Sequence, residues 1–184
     1  MSTDVTQLLQ AANDGDRQAA ADLLPLVYAE LRKLAAAKMV LEKPGHTLDA
    51  TALVHETFLK LTGGQSFASR SHFMRAAAES MRRILIDHAR ARLAEKRGGG
   101  WDRVTLDAAG KTGKSPEQLL DLDDALNHLA AKEPRKAELV GLRYFAGMTM
   151  PEAAEALDVS VPTAERWWAF ARTWLYAELN EESD

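Results

Sequence analysis

Apolar residues recur at intervals of three and four along most of the chain, and the strict alternation that is typical of strands is nearly absent. This pattern predicts an all-α fold. Pro25 is expected to bend or break the second helix, because proline disrupts a helix interior. The predicted helices cover residues 4–13, 17–40, 50–61, 71–97, 116–131, 135–145, 150–157 and 161–179.

Two of these helix starts carry their own capping chemistry. Ser115 is followed by Pro116 and then by Gln118, and Thr149 stands three residues before Glu152. In such a capping box the hydroxyl accepts a free backbone N–H, and the longer side chain reaches back to the N–H of the cap residue. The two boxes predict helices that begin just after Ser115 and Thr149.

Residues 98–115 hold five of the eleven glycines and show no helical periodicity. They predict a flexible linker between two small helical domains, at 1–97 and 116–184. A length of 184 residues excludes a large multidomain enzyme.

Charge divides the chain in the same place. Residues 1–97 contain 14 basic and 11 acidic side chains, whereas residues 116–184 contain 6 and 14. The basic excess lies in 70–97, where a helical wheel puts five arginines on one face. A stripe of nearly one sign favours contact with phosphates over a solvated face. Its members are Arg75, Arg82, Arg83, Arg90 and Arg97.

Other classes of protein fit the sequence poorly. The chain has no cysteine, which excludes disulfides and thiolate metal sites and is expected of a cytoplasmic protein. No apolar run approaches the roughly 18 residues of a membrane span, and the first residues do not resemble a signal peptide. His55-Glu56 and Asp87-His88 are adjacent pairs whose side chains diverge on a helix, and Leu59 stands where a metalloprotease motif needs histidine. We therefore expect no catalytic residue, cofactor or metal.

The second domain has the spacing of a helix-turn-helix, with a tight connection at 158–160 before the last helix. One face of that helix carries Trp167, Trp168 and Trp174 and is expected to pack, which leaves Arg166 on the free face. A net charge of −8 over 116–184 opposes unaided DNA binding, because DNA phosphates would be repelled.

Three motifs, in order, resemble an RNA polymerase sigma factor of the extracytoplasmic-function (ECF) type. ALVHETFLKL at 52–61 resembles the helix that binds core polymerase, and MRRILIDHAR at 81–90 resembles the −10 element helix. Residues 142–172 resemble the domain that reads the −35 element. The amino-acid sequences of the first two motifs most resemble those of a subgroup abundant in planctomycete-like bacteria.

The resemblance implies partners and site residues. The partners are core RNA polymerase, through the clamp helices of its largest subunit and the flap of the second-largest, and promoter DNA, and an anti-sigma factor is left open. The segment 64–73, with two aromatics, would capture a flipped −10 base. The implied site residues are Leu53, His55, Glu56, Phe58 and Lys60 for polymerase; Gln65, Arg70, His72, Arg75, Arg82, Arg83, Arg90 and Arg97 for −10 DNA; and Thr163, Glu165, Arg166, Ala169, Phe170 and Arg172 for −35 DNA.

The chain departs from the family pattern in three places. Many relatives carry basic residues at or near Glu165 and Phe170, so their −35 preference does not transfer to this chain. Many also carry an acidic residue at Ala52, so part of their polymerase contact does not transfer either. The alternative function is a stand-alone helix-turn-helix regulator. Such a regulator would bind DNA tightly without polymerase, and residues 1–97 lack the strand and helix alternation of a ligand or phosphoacceptor domain.

Overall fold

The computed structural model describes residues 2–39, 50–62, 67–97 and 115–181, and these ranges contain helices and turns with no strand. The predicted all-α fold is confirmed. The predicted linker lies outside the described residues except for Ser115, and so does Gln65. The helices are α1 (Ser2–Asn13), α2 (Arg17–Met39), α3 (Ala50–Thr62), α4 (Arg70–Arg97), α5 (Pro116–Lys132), α6 (Pro134–Val140), α7 (Met150–Ala156) and α8 (Val161–Glu181), with a π-helical turn at Gly141–Phe145 after α6.

Both predicted capping boxes form. The Ser115 hydroxyl accepts the Gln118 N–H at 3.2 Å, and the Gln118 side chain accepts the Ser115 N–H at 3.0 Å. At α7 the Thr149 hydroxyl accepts the Glu152 N–H at 3.4 Å, and the Glu152 carboxylate accepts the Thr149 N–H at 2.8 Å. Each box satisfies backbone donors that the first helical turn leaves without a partner.

Two local features differ from the expectation. Of the two effects predicted for Pro25, a bend or a break, the break does not occur, because α2 runs through it from Arg17 to Met39. Val27 and Leu31 are buried just beyond the proline, and their packing offsets the lost backbone bond. The predicted helix 135–145 instead widens into the π turn, where the Gly141 carbonyl accepts the N–H of Ala146 at 3.3 Å.

A tight connection follows the π turn and leads into α7. Gly147 has φ 69°, in the left-handed region that glycine enters without a steric penalty. The Arg143 guanidinium donates to the Met148 carbonyl at 2.5 Å and closes the turn. This connection fixes where α7 begins relative to α6.

We call α1–α4 the amino-terminal module and α5–α8 the carboxy-terminal module. The helix α4 packs against α3 within its own module and against α5, the π turn and α7 of the other. A single apolar cluster therefore runs through both modules among the described residues. Its largest fully buried side chains are Leu31, Leu53, Met81 and Ile84 in the first module and Leu126, Leu129, Leu139, Leu142, Phe145, Met148 and Leu157 in the second.

Phe145 is the bulkiest of these buried side chains, and its segment contacts α4. We expect Phe145→Ala to lower the free energy of unfolding by about 3–5 kcal/mol, because it leaves a cavity where the modules meet. Tyr176→Ala is the matched control, since that aromatic side chain is 73% exposed and its loss should change stability by at most about 0.5 kcal/mol. Urea unfolding measures both, and equal effects would contradict the packing described.

Candidate nucleic-acid interface

Two arginines of the predicted stripe, Arg83 and Arg90, are exposed on α4. Each has an acidic neighbour on the same helix: the distance is 3.0 Å from Arg83 to Glu79 and 3.6 Å from Arg90 to Asp87. The stripe is thus less one-signed than the sequence indicated. Exposed pairs of this kind are weak, so both arginines can exchange their partner for a phosphate at small cost.

Arg82 lies in a different environment, against the carboxy-terminal module. It donates to the Asp123 carboxylate at 2.7 Å, to the Asn127 side-chain oxygen at 2.7 Å and to the Asp123 carbonyl at 3.3 Å. Its guanidinium also lies 5.7 Å from the centre of the Phe145 ring. Only 14% of the Arg82 side chain is exposed, so in this structure its charge is used within the protein.

Arg75 and Arg70 also pair with the other module. Arg75 lies 3.6 Å from Glu138. Arg70 lies 3.3 Å from Glu155 and 2.8 Å from Glu30 of its own module. Burial acts to lower the pKa of Arg70, but the hydrogen bond to Glu30 and the nearby carboxylates together outweigh it and raise that pKa. Both predicted −10 contacts are therefore engaged with carboxylates.

A fourth pair joins α2 to α7, between Lys33 and Glu152 at 2.5 Å. Partial burial acts to raise the pKa of the Glu152 carboxyl, but hydrogen bonds from Lys33 and from the N–H and hydroxyl of Thr149 outweigh it and lower that pKa to about 2. The hydrogen bond to Glu152 in turn raises the pKa of Lys33. We call Lys33–Glu152, Arg70–Glu155, Arg75–Glu138 and Arg82–Asp123 the inter-module ion pairs.

The start of α4 holds the described part of the predicted base-capturing segment. Phe67 and Phe73 are buried and pack edge to face with ring centres 5.3 Å apart, so they are core residues and offer no exposed ring for stacking a base. His72 is exposed beside them, and its Nδ1 accepts the Ala68 N–H at 3.3 Å. Of the described aromatic side chains in residues 67–73, His72 is the exposed one.

The predicted polymerase-binding helix α3 has a buried and an exposed side. Leu53 is fully buried, so it supports the helix and presents no surface to a partner. His55 and Lys60 are exposed, and Phe58 is half-buried. Glu56 lies 3.3 Å from His88 of α4, an approach that their separation of 32 positions concealed from sequence analysis.

A large exposed side chain, Leu59, was missed on this same helix. It is 68% exposed and stands between the predicted contacts Phe58 and Lys60 in the sequence. On a helical wheel Leu59 lies on the side of α3 away from Leu53 and Leu61, so the signal for its exposure is present in the sequence.

The helix α8 is held against α5 and α6 by its apolar face. Ala164, Ala171 and Leu175 are buried, and the three tryptophans are half-buried, as their spacing predicted. A cation from the preceding helices or the π turn lies over the ring of each tryptophan and of Phe170. These contacts join Arg135 to Trp167, Arg143 to Trp168, Lys132 to Trp174 and Lys136 to Phe170, at 5.4, 5.4, 5.4 and 4.6 Å from the ring centres.

The opposite face of α8 is accessible. Glu165, Arg166, Ala169 and Arg172 are exposed, and Thr163 is half-buried. Arg166 donates to the Thr163 hydroxyl at 3.3 Å. Phe170 is 43% exposed at the edge of this face, beneath the Lys136 ammonium. Residues 157–160 join α7 to α8, a short connection of the length expected for a helix-turn-helix.

Across the described ranges, no group of three or more His, Cys, Asp or Glu side chains could hold a metal ion. In the same ranges, no helix combines the length and apolar character needed to cross a membrane. Side chains of Arg97 and of the segment around Gln65 are outside what the structure describes.

A family model described as ECF sigma factor matches residues 2–181. The chain belongs to the ECF sigma factor family. Comparison with curated proteins gave no match. The family is one of non-enzymatic, DNA-binding transcription factors, and it assigns this sigma factor a role in transcription initiation with core RNA polymerase and promoter DNA as partners.

The low pKa of Glu152 predicts a pH dependence of this sigma factor's stability. The folded-state pKa of about 2 lies below the ordinary value of 4.5, so the stabilisation is complete above 4.5 and is lost as the pH falls towards 2. Between neutral pH and about pH 3, urea unfolding should show a larger loss of stability for the wild type than for Glu152→Gln.

Glutamine can keep the capping box, so the Glu152→Gln comparison isolates the charge. Glu165→Gln on α8 is the control and should retain the wild-type dependence on pH. Identical losses in the wild type and Glu152→Gln would contradict the pairing with Lys33.

Proposed function

We propose that this sigma factor docks on core polymerase through α3, reads −35 duplex with the exposed face of α8, and holds melted −10 DNA with the first turns and basic face of α4. It does so in the cytoplasm, where polymerase and promoters meet. The observation that carries the proposal is the family match over both modules, combined with an accessible α8 face whose opposite side is fixed by packing.

The proposal that α8 reads −35 duplex rests on the packing that holds this helix and on the position of its exposed arginine. Buried Ala164 and Ala171 bring the helix close to its support, and the tryptophans brace it with cations over their rings. Arg166 stands in the second turn of α8, near the end that enters a major groove in helix-turn-helix proteins. An arginine there can donate two hydrogen bonds to guanine, whereas Glu165 can accept one from a cytosine amino group.

The case for α3 rests on its exposed side. His55, Leu59 and Lys60 combine a cation, an apolar side chain and an imidazole on the helix that carries the polymerase-binding motif. In this proposal α3 meets the clamp helices of the largest subunit and the carboxy-terminal module meets the flap of the second-largest. Membership of the planctomycete-like subgroup stays a prediction from the amino-acid sequences of the α3 and α4 motifs.

Run-off transcription tests the proposal directly. Purified core polymerase with this protein should initiate at discrete sites on a fragmented genomic library, and core polymerase alone should not. Gel shifts without polymerase are the companion measurement. Tight binding of the free chain to duplex DNA, without initiation in the presence of polymerase, would favour the stand-alone regulator instead.

We expect Arg166→Ala to reduce discrimination between the promoter's own −35 sequence and a scrambled one by about 1–3 kcal/mol, because one base-edge contact is removed. Arg166→Lys is the matched control for charge, since it keeps the attraction to phosphates but loses the bidentate geometry. Open-complex formation on paired templates measures the effect. An equal loss on both templates would mean that Arg166 contacts only the backbone.

We expect Leu59→Ala to weaken core polymerase binding by about tenfold, the effect of losing an apolar contact at the centre of an interface. Leu26→Ala on α2 is the matched control, because Leu26 is also an exposed leucine (41%) and lies outside the motif. Fluorescence anisotropy of labelled protein titrated with core enzyme gives both affinities. Equal affinities for the two variants would exclude Leu59 from the interface.

A further inference from the structure

The inter-module ion pairs share one polarity. In the described part of the chain, every ion pair between the modules has its cation in the amino-terminal module and its anion in the carboxy-terminal one. A neutral hydrogen bond adds to them, from the Ser71 hydroxyl to the Glu155 carbonyl at 3.3 Å. In each inter-module ion pair, a carboxylate of the carboxy-terminal module therefore faces a cation of the amino-terminal module.

Three of the four cations in the inter-module ion pairs are assigned to DNA. Arg70, Arg75 and Arg82 belong to the proposed −10 surface, and their side chains are 22%, 37% and 14% exposed. Arg83 and Arg90, which pair within α4, are 71% and 61% exposed. The carboxy-terminal module thus covers one part of the proposed surface and leaves the other part open.

The burial of one apolar side chain on α4 also indicates that the carboxy-terminal module covers this face. Ile86 stands between the arginines of the stripe in the sequence, yet it is only 3% exposed. On a helical wheel it shares the face of Arg75 and Arg82, about 40° from the latter. A side chain on a DNA-binding face has no reason to be buried unless another element covers that face, and α5 is the helix beside Arg82.

We propose that the carboxy-terminal module is an autoinhibitory cover, in which Asp123, Glu138 and Glu155 occupy the places of single-strand DNA phosphates on Arg82, Arg75 and Arg70. The inference rests on the proposed function, since it assumes that α4 binds melted DNA. Carboxylates and phosphates bind arginine with the same geometry and charge, so the two compete directly. The free protein binds single-stranded DNA in proportion to its open fraction.

The variant that tests the cover is Asp123→Asn/Glu138→Gln/Glu155→Gln, which removes three negative charges with little change of shape. The matched control is Asp121→Asn/Asp124→Asn/Asp158→Asn, which removes three charges from exposed positions of the same module. Both variants change the net charge equally, so a general electrostatic effect on DNA binding is the same in each. Circular dichroism and cooperative unfolding check that both remain folded.

Two readouts on the full chain follow, with a short fluorescein-labelled single-stranded DNA of mixed sequence as the probe. The interface variant should bind the probe about tenfold more tightly than the wild type, whereas the control should change its affinity by less than about twofold. For the second readout, Ala91→Cys and Ala177→Cys introduce two exposed dye sites into a chain that has no cysteine. Energy transfer between the dyes should fall in the interface variant only.

A stronger variant guards against modules that stay packed through their apolar contacts. Asp123→Lys/Glu138→Lys/Glu155→Lys places cations opposite the arginines, and its control reverses the charges of Asp121, Asp124 and Asp158. If neither interface variant exceeds its control in DNA affinity and in loss of energy transfer, the cover does not exist. If energy transfer falls but DNA affinity does not rise, the modules touch without masking the DNA surface, and the proposal is likewise overturned.

Run-off transcription separates this inference from the proposed function. If the wild type fails to initiate with core polymerase, the proposed function fails whatever the dye measurements show. If the wild type initiates but the interface variants behave as their controls do, only the autoinhibitory cover is lost.

Discussion

The packing of α4 on both sides at once is the constraint on which the rest of this structure depends. Ile84, Leu85 and Ile86 are consecutive and all buried, and three consecutive helical positions span roughly 200° of the surface. A helix that faced a single core would bury a stripe of about half that width. The amino-terminal module alone therefore leaves α4 partly uncovered, and the carboxy-terminal module supplies the missing wall.

The same packing places the ion pair between Arg82 and Asp123 beside the apolar contacts of α4. Arg82 and Asp123 are both largely withdrawn from water, with 14% and 10% of their side chains exposed, whereas Lys33 remains 65% exposed. Removing one partner of a buried pair leaves an uncompensated charge, but replacing it with another anion does not. Arg82 can therefore exchange Asp123 for another anion without leaving its charge uncompensated.

Local chemistry made much of this predictable. The starts of α5 and α7 were predictable because each capping box is formed by residues only three positions apart, Ser115 with Gln118 and Thr149 with Glu152. The tryptophans of α8 pack because their spacing puts them on one face. The burial of Phe67 and Phe73 could not be predicted in this way, since two aromatics in a polar segment are equally typical of a surface that stacks a base.

The partners of the basic stripe were beyond sequence reasoning for a different reason. A helical wheel shows that Arg75 and Arg82 share a face, but it says nothing about what covers that face. Asp123 is 41 positions from Arg82, and Glu138 is in another helix again. One clue was present: Asp123 directly follows Leu122 on the apolar side of α5, where a carboxylate is buried only if a cation meets it.

The acidity of the carboxy-terminal module now has two physical consequences that reinforce each other. Its excess of negative charge repels duplex DNA from α8, and the same carboxylates neutralise the arginines that α4 would offer to a single strand. One feature of the sequence thereby weakens DNA binding at both proposed surfaces in the free chain. Under the proposed function, selectivity then requires an external scaffold that separates the modules and holds each against its DNA element, and core polymerase is the partner that the family provides.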